Sequence, residues 1–213
     1  MKQLLVTTAV FIGLTASAHS KEVRSFERTF DARDFERLFV EIPLGEVEID
    51  GSNSNEIHVE VTVNCSGWRT SRCEEYAEDV DLVSSEWKDR IELEIDGLKK
   101  WKSIGLSFDI RMRAPAAMKL EVDVGVGEVE ISGFTNDVSA DLGVGELAVS
   151  MDESTVRSVD LETGLGEANL QYSEGEMEAS GIFGNEVRWD EGPGTAAVKL
   201  EVGVGEIELR LRQ

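Results

Sequence analysis

Basic side chains, histidine, cysteine and proline are all scarce in this chain of 213 residues. Lysine and arginine number 21 against 43 aspartates and glutamates, for a formal net charge of −22. Binding to nucleic acid requires a basic face for the phosphates, so that class of partner is excluded. The same deficit disfavours adsorption to anionic lipid. Of the two histidines only His58 lies beyond residue 19. It sits between Ile57 and Val59, where strand alternation points it to solvent, so a histidine-based triad has no material. No apolar run beyond the first 18 residues reaches the length of a transmembrane helix. What remains, 41% hydrophobic, suffices for one ordinary domain with a core.

Residues 1–18 read as a secretory signal peptide. Met1-Lys2 gives a positive start, Leu4 to Leu14 a short apolar run, and Ala16-Ser17-Ala18 the small-x-small cleavage pattern. Cleavage after Ala18 leaves residues 19–213 as a single domain. With no cysteine beside the cut, no lipid anchor is expected there, and periplasmic placement is favoured over extracellular. Export puts Cys65 and Cys73, the only cysteines, in an oxidising compartment. A redox pair usually has two intervening residues and a metal would need further ligands, so a structural disulfide is expected.

Three prolines against twenty glycines is the other imbalance, and the glycines recur. Leu44-Gly45-Glu46-Val47-Glu48-Ile49 returns as Val126-Gly127-Glu128-Val129-Glu130-Ile131 and as Val144-Gly145-Glu146-Leu147-Ala148-Val149. It returns again as Leu165-Gly166-Glu167-Ala168-Asn169-Leu170 and Val204-Gly205-Glu206-Ile207-Glu208-Leu209. A degenerate copy, Gly184-Asn185-Glu186-Val187-Arg188-Trp189, has Asn185 at the glycine position, the residue that best tolerates positive φ after glycine. Positions 127, 145, 166, 185 and 205 stand 18, 21, 19 and 20 residues apart. Around each glycine, apolar residues alternate: Leu120, Val122, Val124 and Val126, then Val129 and Ile131. Val198 to Val204 and Leu38 to Leu44 follow the same scheme before their own glycines. The phase slip marks a corner or bulge between two half-buried strands. Corner positions are therefore predicted at Gly45, Gly127, Gly145, Gly166, Asn185 and Gly205.

A strand–corner–strand unit of about 20 residues cannot bury its apolar side alone but can when stacked on its copies. The expected fold is all-β, a β-solenoid of Gly-Glu coils over residues 119–213, with an antiparallel sandwich or meander as the alternative. Residues 19–118 are expected to form a strand-rich layer continuous with it. There Ile57 to Val63, Ile91 to Ile95 and Leu106 to Met112 alternate as strands, and Ser71 to Glu78 could hold one short helix.

Three stretches carry a resemblance to a known family: Leu38 to Gly51 followed by Glu56 to Val63, then Phe108 to Pro115, then the Gly-Glu run from Gly125 to Leu209. Their order resembles the bacterial putative-adhesin family of β-solenoid domains, whose members mostly lack an assigned function. The resemblance implies a right-handed solenoid and an adhesin-like role.

No residue is singled out as catalytic. Gly143-Val144-Gly145-Glu146-Leu147-Ala148 fits a relaxed dinucleotide fingerprint, but a strand and not a helix is expected after it. Outward carboxylates are too evenly spread for any pair to stand out as an acid–base couple. Glu46, Glu128, Glu146, Glu167, Glu186 and Glu206 are expected to form a solvated row, without the aspartate-bearing nonapeptides of calcium-binding solenoids. No metal site and no cofactor are predicted. The chain is thus expected to be an exported, non-catalytic structural or interaction module of the cell envelope. The alternatives are a divalent-cation-binding acidic scaffold and a glycan-active enzyme. An envelope protein or glycan is the expected partner, through a loop at Lys99, Lys100, Trp101 and Lys102, and the solenoid ends offer a route to self-association.

Overall fold

A computed structural model describes residues 20–66, 70–98, 105–181 and 184–213. In chain order the elements are β1 (Lys21–Asp31), β2 (Arg37–Ser52), β3 (Glu56–Cys65), helix α1 (Thr70–Ala77), β4 (Asp81–Trp87), β5 (Arg90–Asp96) and β6 (Leu106–Pro115). They continue as β7 (Lys119–Ser132), β8 (Val138–Asp152), a 3-10 turn (Glu153–Thr155), β9 (Val156–Tyr172), β10 (Gly175–Gly181), β11 (Asn185–Trp189) and β12 (Ala196–Arg212). The fold is all-β, and among the described residues every strand belongs to one mixed sheet.

Five long strands form the middle of that sheet in the order β2-β7-β8-β12-β9, all parallel and paired repeat to repeat. Gly45, Gly127, Gly145, Gly205 and Gly166 lie side by side across it, with φ between +135° and +152°. The strands change their inward phase beside these glycines, between Val124 and Val129 and at the equivalent positions, so the sheet folds over along this line. Before that line Val40, Val122, Ala140, Leu200 and Leu161 form one buried row. After it Ile49, Ile131, Val149, Leu209 and Leu170 form another. Both rows belong to a single core. Each fully buried aliphatic side chain contributes about 1.5–3 kcal/mol, so the stacked rows are the main source of stability.

The stacking order departs from chain order. β12, the last strand, lies between β8 and β9, parallel to both. The interval from Gly145 to Gly166 is 21 residues against 18 from Gly127 to Gly145, and the longer interval is the one that skips a strand position.

The two halves of the folded sheet are extended differently at their ends. Beside β2, β5 pairs parallel with Arg37 to Glu41, while β6 pairs with Glu46 to Ser52 and leads on to β3 and β1. Beside β9, β11 covers Val159 to Thr163 and β10 covers Gly166 to Tyr172, both antiparallel. Asn185 is accordingly not a corner. It takes no positive φ and starts β11, opposite Thr163. Its side chain closes the column of glycines: Nδ2 donates to the carbonyl of Gly166 at 2.8 Å and to Thr163 Oγ1 at 3.3 Å. The parallel stack of glycines ends at Gly166, where β10 begins its antiparallel pairing, and the Asn185 amide supplies a donor to the part-buried Gly166 carbonyl.

Cys65, at the end of β3, is bonded to Cys73 in α1, with the Cα atoms 5.8 Å apart. A ring this small stabilises by about 2–3 kcal/mol through chain entropy. It ties α1 to the end of β3.

Candidate interaction surface

Alternation alone places Leu44, Val126, Val144, Leu165 and Val204 inward, and the structure reverses this for all but Leu44, which packs partly against the core. Val126 is 53% exposed, Val144 and Val204 46%, and Leu165 40%, while Leu44 is half-buried. The fold of the sheet falls just before these residues, after Val124 and its equivalents, so they point out from the corner. In-register pairing sets them in one line, Leu44-Val126-Val144-Val204-Leu165, across five strands. Four rungs of this ridge have glycine on both sides, as in Gly125-Val126-Gly127; the fifth has Pro43 and Gly45. The ridge therefore rises from nearly bare backbone.

Carboxylates line both flanks. Glu41, Asp123, Asp141, Glu201 and Glu162 form a row three residues before the ridge, and Glu46, Glu128, Glu146, Glu206 and Glu167 a row two residues after it. Glu186 does not join the second row; it lies on β11 opposite Glu162 and pairs with Arg188. Neighbours at the strand spacing of about 4.8 Å repel by about 1 kcal/mol in water before screening. Among the described residues only Glu201 of these ten has an ion-pair partner, Lys199. A shallow groove of about 240 Å³ runs beside the second row, lined by Glu46, Glu48, Asp109, Arg111, Glu128 and Glu146. Among the described residues no three carboxylates, histidines or cysteines are placed to hold a metal ion.

The crowding is felt most at Asp141, at the centre of the first row. Partial desolvation, with Glu201 and Asp123 on the adjacent strands, raises its carboxyl above the ordinary 3.8. A carboxyl whose folded-state value exceeds its unfolded one costs stability when charged, and the cost disappears as pH falls through the raised value towards 3.8. Asp141→Asn is accordingly expected to stabilise the protein at neutral pH, by an amount within the ~0.2–1 kcal/mol of exposed charge pairs, read as a raised melting temperature. That gain should vanish in melts below pH 3.8, the ordinary carboxyl value.

Other sites named from sequence fare differently. Lys99, Lys100, Trp101 and Lys102 lie outside the described residues. His58 is partly exposed, with Nδ1 3.1 Å from Thr29 Oγ1 and Nε2 3.5 Å from Glu60. At Gly143 to Ala148 the strand β8 runs straight through, so no helix follows the glycines. An aromatic that sequence reasoning passed over is Trp87, 67% exposed at the β4–β5 hairpin. Lys88, with φ +59°, lays its ammonium 4.7 Å over that ring. The signal was present in Lys88-Asp89, a polar turn that sets Trp87 just ahead of the alternating run Ile91, Leu93 and Ile95.

Comparison with known proteins places this geometry. The family profile described as the N-terminal domain of toast_rack, DUF2154, matches residues 19–171, or β1 to β9. A crystal structure described as a putative cell adhesion protein from Clostridium sporogenes is similar in fold. It is 14% identical with a TM-score of 0.53, and the match covers 89% of this chain and 99% of that one. A putative adhesin from Bacteroides fragilis also aligns, at 14% identity and a TM-score of 0.34, over 87% of this chain and 97% of the other. No curated protein matches the sequence.

Proposed function

The chain belongs to the toast_rack N-terminal domain family, DUF2154, and we propose that it serves as a non-catalytic, adhesin-like interaction module of the bacterial cell envelope. The observation that carries this reading is the five-rung apolar ridge, set on bare backbone between two carboxylate rows. Four of its rungs are exposed and lie outside the core, at a cost in solubility, which makes the ridge a surface held ready for a partner. Support for export comes from the leader-like first 18 residues together with the Cys65–Cys73 disulfide. Placement in the periplasm is part of the proposal, as is the description of the stacked 18–21-residue units as a β-solenoid with its last coil out of order. The name of the Clostridium sporogenes structure points the same way.

Sedimentation with isolated envelope fragments tests this. The parent protein should co-sediment, and the triple variant Val126→Asn/Val144→Asn/Val204→Asn should lose retention about tenfold or more. Its melting temperature should change little, since the replaced side chains lie outside the core. EDTA should leave retention unchanged; release by EDTA would favour the cation-binding scaffold instead. Equal retention of parent and triple variant would sink the reading.

A further inference from the structure

The partner's chemistry can be taken further, on the premise that the ridge is the working surface. We propose that the ridge and its two carboxylate rows dock a cationic amphipathic helix of a partner polypeptide, lying across the strands along the ridge.

Spacing selects the helix. Rungs of the ridge repeat at about 4.8 Å, the distance between paired strands. An α-helix laid along them presents its apolar stripe once per 5.4 Å turn, so it stays within about half a rung over the five. An extended chain offers a side chain to the same face about every 6.8 Å, so it is already about two-fifths of a rung out at its first step, where the helix is out by about one-eighth. The ridge is about 19 Å long, which corresponds to about 13 helical residues. Glycines on either side let the helix come close to the sheet, because no Cβ stands between it and the backbone.

Charge selects the cation. Nine of the ten flanking carboxylates have no ion-pair partner among the described residues. A helix 10–12 Å across, with lysine or arginine on both sides of its apolar stripe, reaches the row before the ridge with one flank and the row after it with the other. Pairing of these charges would relieve the repulsion within each row. A second copy of this chain brings a net charge of −22 and its own carboxylate rows to the same place. An anionic lipid surface meets the same repulsion.

The test uses a synthetic 14-residue helical peptide with leucines at i, i+3, i+4, i+7 and i+11 and lysines on both flanks. Binding to the full chain is followed by fluorescence anisotropy at two salt concentrations. A peptide of identical composition with the leucine spacing scrambled is the control. Expected are binding of the helix, binding of the scrambled peptide about tenfold or more weaker, and a loss of about tenfold in Val144→Asn/Val204→Asn. Glu146→Gln/Glu206→Gln should weaken binding several-fold and flatten its salt dependence. Equal binding of the scrambled peptide would reduce the surface to a non-specific polyanion and overturn the proposal. So would affinities unmoved by both double variants, or ultracentrifugation showing a dimer of this chain that Val144→Asn/Val204→Asn abolishes. If no peptide binds while the triple ridge variant still loses envelope retention, the helix proposal fails and the interaction module stands. If the triple variant is retained like the parent, the module itself fails.

Discussion

Replacing Gly145 with alanine should destabilise the protein by about 3–5 kcal/mol, although it adds a single methyl group. Two costs coincide at this position. The backbone sits at φ +143°, a region that residues with a side chain rarely adopt. The new Cβ would also lie 1.7 Å from the carbonyl oxygen of Gly127 on the next strand. Neither can be relieved locally, because Gly127 stands in the same relation to Gly45, and Gly205 to Gly145. Moving one carbonyl moves the whole column. Gly184 is the control: its φ of +59° is also unfavourable for alanine, but nothing lies within 4 Å of the added atom. Gly184→Ala should therefore cost only the conformational term, about 1–2 kcal/mol. Urea unfolding of the two variants checks both values, and a Gly145→Ala midpoint equal to that of the parent would refute the close stacking.

The glycine column was readable in the sequence because each corner repeats the same local requirement. Period-two alternation likewise marked β2, β3, β5 to β9 and β12, and the short polar stretch after the cysteine loop marked α1. The ridge was not readable, for a definable reason. Alternation gives the parity of Val126 and Val144, but parity does not say whether the sheet folds before or after the last residue ahead of the glycine. Only the buried pair Val124 and Val129 around the exposed Val126 settles that. Asn185 looked like a sixth corner because asparagine tolerates positive φ. Its actual work depends on being beside the last glycine carbonyl, a relation between β11 and β9 that no local pattern records. β1 and β10 were missed for a simpler reason: they lie at the edges of the sheet, few of their side chains are buried, and charged or small residues interrupt their alternation.

The position of β12 was the least legible feature, and it matters most. Five copies of one motif can stack in many orders with the same glycine register and nearly the same rows of Val, Leu and Ile. What distinguishes them is how far each connection reaches, which depends on the whole coil. With β12 between β8 and β9, the final strand contributes Leu200 and Leu209 to the buried rows and Val204 to the ridge. The core and the outer surface are thus both completed by residues 196–212, beyond the part that matches the family profile.

Thermal unfolding of a chain ended at Gly194 tests this arrangement most directly. If the units stacked in chain order, the loss would remove one terminal coil, and a repeat stack survives that with a lowered melting temperature. In the arrangement described here, the loss strips hydrogen-bond partners from β8 and β9 together and opens the core between them. The truncated chain should show no cooperative transition by circular dichroism and should expose apolar surface to a hydrophobic dye. A cooperative melt within a few degrees of the full-length protein, without dye binding, would contradict the central place of β12 and the continuous ridge that depends on it.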